Sequence, residues 1–198
     1  MFNQEDFAVF DDLTLAGRLA KVRSVIDPKF EALAPAIIET MGQTKPVYGH
    51  VAKHLRRFKN PPMNTWIAFS GNPRGYKMAP HIMLGFWDDR LFIWLAVLAE
   101  AKERQRLTPV LAGMLPQFTT LGATYEISQN HMAKPAADLT LRNLEKQLEH
   151  YQTVKQADFL VGRQWFKNDP IFDDPDQLRA TLLQTFAELA PFYETLNL

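Results

Sequence analysis

Apolar residues recur along this chain with two periods, and the switch between them marks out its elements. Phe2, Phe7 and Phe10 follow neither period and predict an aromatic strap laid on a core. Leu15, Leu19, Val22 and Ile26 repeat at helical spacing, with Thr14 as a cap. That helix is expected to stop at Asp27-Pro28. There Asp27 can accept from the free N–H groups of a new helix, and Pro28 loses no donor at its first position. Phe30, Leu33, Ile37 and Met41 give the second helix its apolar stripe. Pro35 is placed to kink it and Gly42 to end it.

Alternation then takes over. Thr65-Trp66-Ile67-Ala68-Phe69 reads as a strand, Gly71 to Gly75 as a loop, and Tyr76 to Trp87 as a second strand with Pro80 at an edge or bulge. Asp88-Asp89 makes a short turn into Leu91–Leu98, which is apolar on both faces. That pattern suits a central strand covered on both sides, although a buried helix shares the signature. Residues 47 to 58 have two readings. As a helix, Tyr48, Val51, Leu55 and Phe58 form an apolar face opposite His50, Lys53, His54 and Arg57. As a strand, the segment pairs with Thr65–Phe69 through Asn60-Pro61-Pro62, and this Pro-rich turn favours the strand. Residues four apart share a face in both, so His50 and His54 are expected to point the same way.

Further on, Glu100 to Arg106 reads as a charged helix, and Thr108-Pro109 as the start of a short helix ending near Leu115. Leu121 to Ile127 is a candidate strand, and residues 129 to 138 a loop. Leu141, Leu144, Leu148 and Tyr151 mark an amphipathic helix, and Asp158 to Trp165 a last strand. An acidic linker leads to Asp174-Pro175, a cap and first position, and to a final helix burying Leu178, Leu182, Phe186, Leu189 and Tyr193. The order of elements predicts one α+β domain over residues 1–198, with a largely antiparallel sheet flanked by N- and C-terminal helices. No GxGxxG or GxxxxGK[ST] is present, which argues against a doubly wound nucleotide-binding sheet.

Composition narrows the chemistry. Lys plus Arg and Asp plus Glu number 22 each, so any electrostatic function must come from local segregation of charge. There is no cysteine, which excludes disulfides, thiolate metal sites and cysteine nucleophiles and fits a cytoplasmic protein. The acidic N-terminus does not read as a signal peptide, and the longest apolar run is about half a membrane span, so no membrane partner is expected. The oligomeric state is not legible.

Charge does segregate in one place. Between His50 and Lys59 there are four formal cations, Lys53, Arg56, Arg57 and Lys59, and no carboxylate. Arg74, Lys77 and His81 follow across the expected hairpin. Arginine forks and backbone N–H groups beside a Gly-containing loop suit phosphate or carboxylate. His50, Lys53, His54, Arg56, Arg57, Arg74, Lys77 and His81 are therefore the candidate anion-binding residues, with His131 as an addition. The ligand expected is a phosphate-bearing small molecule or nucleic acid. The plainer alternative is a solvated charged face, or ion pairs with Glu5, Asp6, Asp11, Asp12 and Asp88. Two further readings are an enzyme using His81 or His131 as general acid or base, and a module that docks an acidic partner. His50 and His54 have a metal-ligand spacing, but their cationic neighbours repel a metal ion, and neither metal nor cofactor is expected.

The stretches HVAKHLRRFKNPPMNTWIAF and RGYKMAPH, with PKFEAL near the start and VKQADFLVG near the end, resemble the YktB-like family of bacterial proteins, the domain of unknown function 1054. The resemblance spans nearly the whole chain. It implies a compact α+β domain from a low-GC Gram-positive bacterium and brings no catalytic residue or cofactor with it. The family pattern has Asp before the histidine matching His131, where this chain has Asn130. The resemblance therefore carries no carboxylate–histidine pair over to that point.

Overall fold

The computed structural model describes residues 1–197. The Phe2–Phe10 strap forms a 3-10 turn, and Phe2, Phe7 and Phe30 all pack on Phe86. Helix α1 (Leu15–Lys21) is capped by Thr14, whose hydroxyl accepts from Gly17 N–H. It does not stop at Asp27-Pro28, as the sequence had predicted. A π-helical turn, Val22–Ile26, carries it directly into α2 (Asp27–Met41), and Asp27 N–H bonds back to the Val22 carbonyl. The wider turn shifts the hydrogen-bond register where proline lacks a donor, so the helix bends through instead of ending. Phe30, Leu33, Ile37 and Met41 are buried as expected, and Gly42 ends α2 in the left-handed conformation, φ 57°.

Seven strands follow in one sheet: β1 (Tyr48–Val51), β2 (Asn64–Ser70), β3 (His81–Trp87), β4 (Arg90–Val97), β5 (Glu126–Ser128), β6 (Ala137–Asp138) and β7 (Phe159–Phe166). Their order is β1-β2-β3-β4-β7-β5-β6, and every pairing is antiparallel. The fold is thus α+β, and β4 is the central, fully covered strand that its continuous apolar run required. Residues 47–58 resolve as a short strand followed by a loop. Tyr76 to Pro80 is a turn, not the start of β3, because Pro80 can donate no ladder bond.

Helix α3 (Arg104–Phe118) is a single element that runs through Thr108 and Pro109. The Thr108 hydroxyl donates to the Arg104 carbonyl. The carbonyl that Pro109 cannot serve belongs to exposed Gln105, where water can reach it. Of the candidate strand at 121–127, only its last two residues join β5; Gly122, at φ 94°, turns the chain before it. Helices α4 (Leu141–Thr153) and α5 (Pro175–Leu196) match their periodicity, and Asp174 caps α5 by accepting from the N–H groups of Asp176 and Gln177. No helix among the described residues is long and apolar enough to cross a membrane.

The two faces of the sheet are covered differently. Ile67, Phe69, Ile82, Leu84, Phe86, Ile93, Leu95 and Val161 point to the face on which α2, α4 and α5 pack. Trp66, Met83, Trp87, Phe92, Trp94 and Leu160 point to the other, where loop residues Ala52, Tyr76, Met132 and Ala136 pack against them. Gly85 is glycine because the Phe92 ring lies across it; a Cβ there would sit 2.2 Å from the Phe92 Cζ atom.

Candidate functional site

Four of the five histidines meet on or beside the loop-covered face. His50 leaves β1 on this face; its Nε2 lies 2.9 Å from the Asn72 carbonyl and its ring 6.0 Å from that of Tyr76. His81 opens β3 and is wholly buried. Its Nδ1 lies 2.9 Å from the Ala79 carbonyl, its ring meets Tyr76 edge-on at 5.0 Å, and its Nε2 has no hydrogen-bond partner among the described residues. Burial holds the His81 pKa down to about 4, outweighing the hydrogen bond to Ala79.

The expectation that His50 and His54 point the same way relied on a continuous element. Instead β1 ends at Val51, and His54 turns the chain in the left-handed conformation, φ 51°. Histidine tolerates this region better than most residues. His54 is held at the edge of β2, with Nε2 3.1 Å from the Thr65 hydroxyl and its ring edge-on to Trp66. Burial, with Arg57 and Arg23 nearby, lowers its pKa to about 4, so His54 is neutral at physiological pH and adds no charge to the cluster.

The loop that follows is fixed at both ends. Ala52 N–H bonds the Trp66 carbonyl, and the Pro62 carbonyl accepts from the buried guanidinium of Arg18. Arg18 also donates to the carbonyls of Phe10 and Asp12, so one side chain ties strap, helix and loop together. Against this loop lies a cavity of about 360 Å³ lined by Lys53, His54, Leu55, Arg56, Arg57, Trp66, Tyr76, Lys77 and Met132. No carboxylate among the described residues lines it. Among the described residues, none of Lys53, Arg56, Arg57, Lys59, Arg74 and Lys77 forms an ion pair. Of the five acids named as candidate partners, three are engaged elsewhere, Asp6 with Lys29, Asp12 with Lys21 and Asp88 with Lys134, while Glu5 and Asp11 form no ion pair among the described residues. Trp66 Nε1 donates to the Tyr76 hydroxyl at 3.0 Å. The hydroxyl's own proton is donated to no described residue and remains available at the cavity wall.

The fold thus gathers Lys53, His54, Arg56, Arg57 and Lys77 around one concavity. It places His50 and His81 beneath Tyr76, outside that lining, and leaves Arg74 on an exposed turn where its N–H bonds the Asn72 side chain. His131 meets Trp66 edge-on, with ring centroids 6.0 Å apart, and is not in the cavity lining, although its neighbour Met132 is. A second groove of about 440 Å³, between residues 43–48 and the end of α5, has one cation, Lys45, and also Glu194.

One partner was not found in the sequence. Asp158, just before β7, accepts from Ala99 N–H at 2.8 Å, His131 N–H at 2.9 Å and His131 Nδ1 at 2.6 Å. A carboxylate–histidine pair therefore does exist, supplied from 27 residues along the chain instead of from position 130. Burial by itself would raise the Asp158 pKa, but the hydrogen bond and charge of His131 and the two backbone donors hold it below its ordinary value. With Nδ1 on Asp158, His131 Nε2 has no hydrogen-bond partner among the described residues, and it is not among the polar atoms sealed from solvent. The sequence signal for Asp158 was slight: an acid between Ala157 and Phe159, where a buried carboxylate needs donors. No group of three or more His, Asp or Glu residues among those described is arranged to hold a metal ion.

Comparison with known proteins gives a consistent result. A protein of Lacticaseibacillus paracasei named UPF0637 protein is 44% identical over 99% of this chain and 97% of its own length. UPF0637 proteins of Lactiplantibacillus plantarum and Oceanobacillus iheyensis are 45% and 34% identical, over 98% of this chain and 94% and 95% of their own lengths. The family model described as a domain of unknown function, DUF1054, matches residues 2–193, and the chain belongs to that family.

Proposed function

We propose that this protein is a binding domain for a phosphate-bearing ligand, held in the cavity beside the 52–62 loop. One observation carries the reading: Lys53, Arg56, Arg57 and Lys77 surround a single concavity with no carboxylate in its lining and no ion pair among the described residues. Like charges held together repel one another, and an oxyanion relieves that cost; arginine forks can do so with paired donors. A volume of about 360 Å³ lies within the range of small-molecule sites. Trp66 and Tyr76 add an apolar floor and a free hydroxyl donor suited to a sugar or base attached to the phosphate. The test is a thermal-shift screen against nucleotides, phosphosugars and polyanions. A phosphorylated compound is expected to raise the melting temperature, since binding to the folded state alone stabilises it. If none does so at saturating concentration, the reading fails.

A second reading, an enzyme, is favoured by the His131–Asp158 pair. A carboxylate on Nδ1 fixes the tautomer and leaves Nε2 as a proton acceptor, the arrangement of a general base. Its check is turnover of a chromogenic phosphoester by the native protein, lost in His131→Gln. Turnover that survives His131→Gln would remove histidine from the chemistry.

A further inference from the structure

We infer that the ligand is a single strand of nucleic acid several nucleotides long, and not a mononucleotide; this rests on the phosphate-binding reading above. The observation that goes beyond the cavity is the outer part of its loop. Between the anchors at Ala52 and Pro62, Leu55 is 74% exposed and Phe58 is 85% exposed, with Met63 just beyond at 58%. Phe58 lines neither the core nor the cavity, so folding gives no account of a phenyl ring at this tip. Its sequence neighbours are Arg57, which lines the cavity, and Lys59, which is exposed and in no ion pair among the described residues.

Rings and cations thus follow one another outward along the loop: Tyr76, Trp66, Arg56 and Arg57 line the cavity, and exposed Phe58 and Lys59 come next in the chain after Arg57. A mononucleotide fills the cavity and leaves Phe58 and Lys59 without a role. A strand that continues out of the cavity sets a further base on Phe58 and further phosphates on the loop cations. This combination of stacking faces with a basic track is how single strands are bound without reading their sequence. A duplex keeps its bases stacked inside and cannot offer their faces to these rings. An anionic membrane also attracts exposed Leu, Phe and Arg side chains, but it has no use for a concave site floored by Trp66 and Tyr76.

The experiment is fluorescence anisotropy of a labelled oligouridylate of about 10 nucleotides. Uridine monophosphate and a duplex of the same length serve as competitors, with phosphatidylglycerol vesicles in a parallel sedimentation assay. The strand is expected to bind about 10-fold or more tighter than the mononucleotide, with affinity falling steeply as salt rises. Phe58→Ala is expected to weaken the strand about 10-fold and leave the mononucleotide unchanged; with its ring exposed, the variant keeps its melting temperature. Equal affinity for strand and mononucleotide, or indifference to Phe58→Ala, overturns the strand while the phosphate site stands. Vesicle binding without strand binding overturns it in favour of a lipid surface. Binding of neither strand nor mononucleotide overturns this inference and speaks against the site for these ligands, which the wider thermal-shift screen then decides.

Discussion

The sheet has two buried faces that do opposite work. On one, α2, α4 and α5 close over aliphatic and phenyl side chains, and the strap adds Phe2 and Phe7. On the other, three loops cover three tryptophans, and there His50 of β1 and His81 of β3 join loop residues His54 and His131, a buried carboxylate and a ring of cations with no carboxylate partner among the described residues. A helix satisfies its own backbone and can present a purely apolar stripe. A loop cannot, so the face it covers must accommodate polar groups, and chemistry can collect there. The difference implies that substitutions on the helical face should cost stability, and those at the rim of the loop-covered face should cost binding.

The largest expected effect is on the helical face. Phe86 is fully buried against Phe2, Phe7 and Phe30, and Phe86→Ala should cost about 3–5 kcal/mol in urea unfolding. A cost below about 1 kcal/mol would mean that the strap is not part of the core.

Next comes Asp158→Ala. It leaves the N–H groups of Ala99 and His131 without their acceptor, and it should cost about 3 kcal/mol while loosening residues 129–136 to hydrogen exchange. This would be a loop-covered position that behaves like core, and it sharpens the division: its buried anchors are structural, and its rim is not.

A smaller effect is set by pH. His54 and His81 have folded pKa values of about 4 against 6.5 when unfolded, so the unfolded chain binds protons first. Their contribution to stability is therefore full above about pH 6.5 and is lost as pH falls toward 4, on the order of 2 kcal/mol for each histidine by pH 5. Asp27 opposes this within the window. Burial, with Glu31 nearby, raises its pKa to about 6, so it takes up protons in the folded state first. Comparing His81→Phe with the native protein isolates the histidine contribution: the fall in melting temperature between pH 7 and pH 5 should shrink in the variant. An unchanged slope would show that His81 does not titrate on unfolding.

Much of the helical face was legible in the sequence because its residues report local periodicity. Phe30, Leu33, Ile37 and Met41 in α2, the Asp174 cap of α5 and the Asp88-Asp89 turn joining β3 to β4 needed no long-range information. The cations of the cavity were legible too, because Lys53, Arg56 and Arg57 share a short loop and Lys77 sits in the next one. What could not be read depended on packing between distant segments. Asp158 meets His131 only after β7 has paired with β4 and β5, which no pattern around either residue announces. His81 looked like part of a basic cluster; it is sealed because the turn before β3 folds Tyr76 over it. The helix through Asp27-Pro28 was misread because Asp-Pro signals a cap, whereas a π turn also accommodates a proline.

The smallest expected effect on stability belongs to the rim and bears most directly on the central claim. Arg57→Glu should shift unfolding by no more than about 0.5 kcal/mol, because Arg57 forms no ion pair among the described residues. The measurement is the melting temperature of native protein and Arg57→Glu in phosphate and in chloride at equal ionic strength. The native protein should be more stable in phosphate than in chloride, and Arg57→Glu should lose that difference while melting as before in chloride. Equal melting temperatures of the native protein in the two salts, or a phosphate effect that survives Arg57→Glu, would contradict an anion site on the loop-covered face.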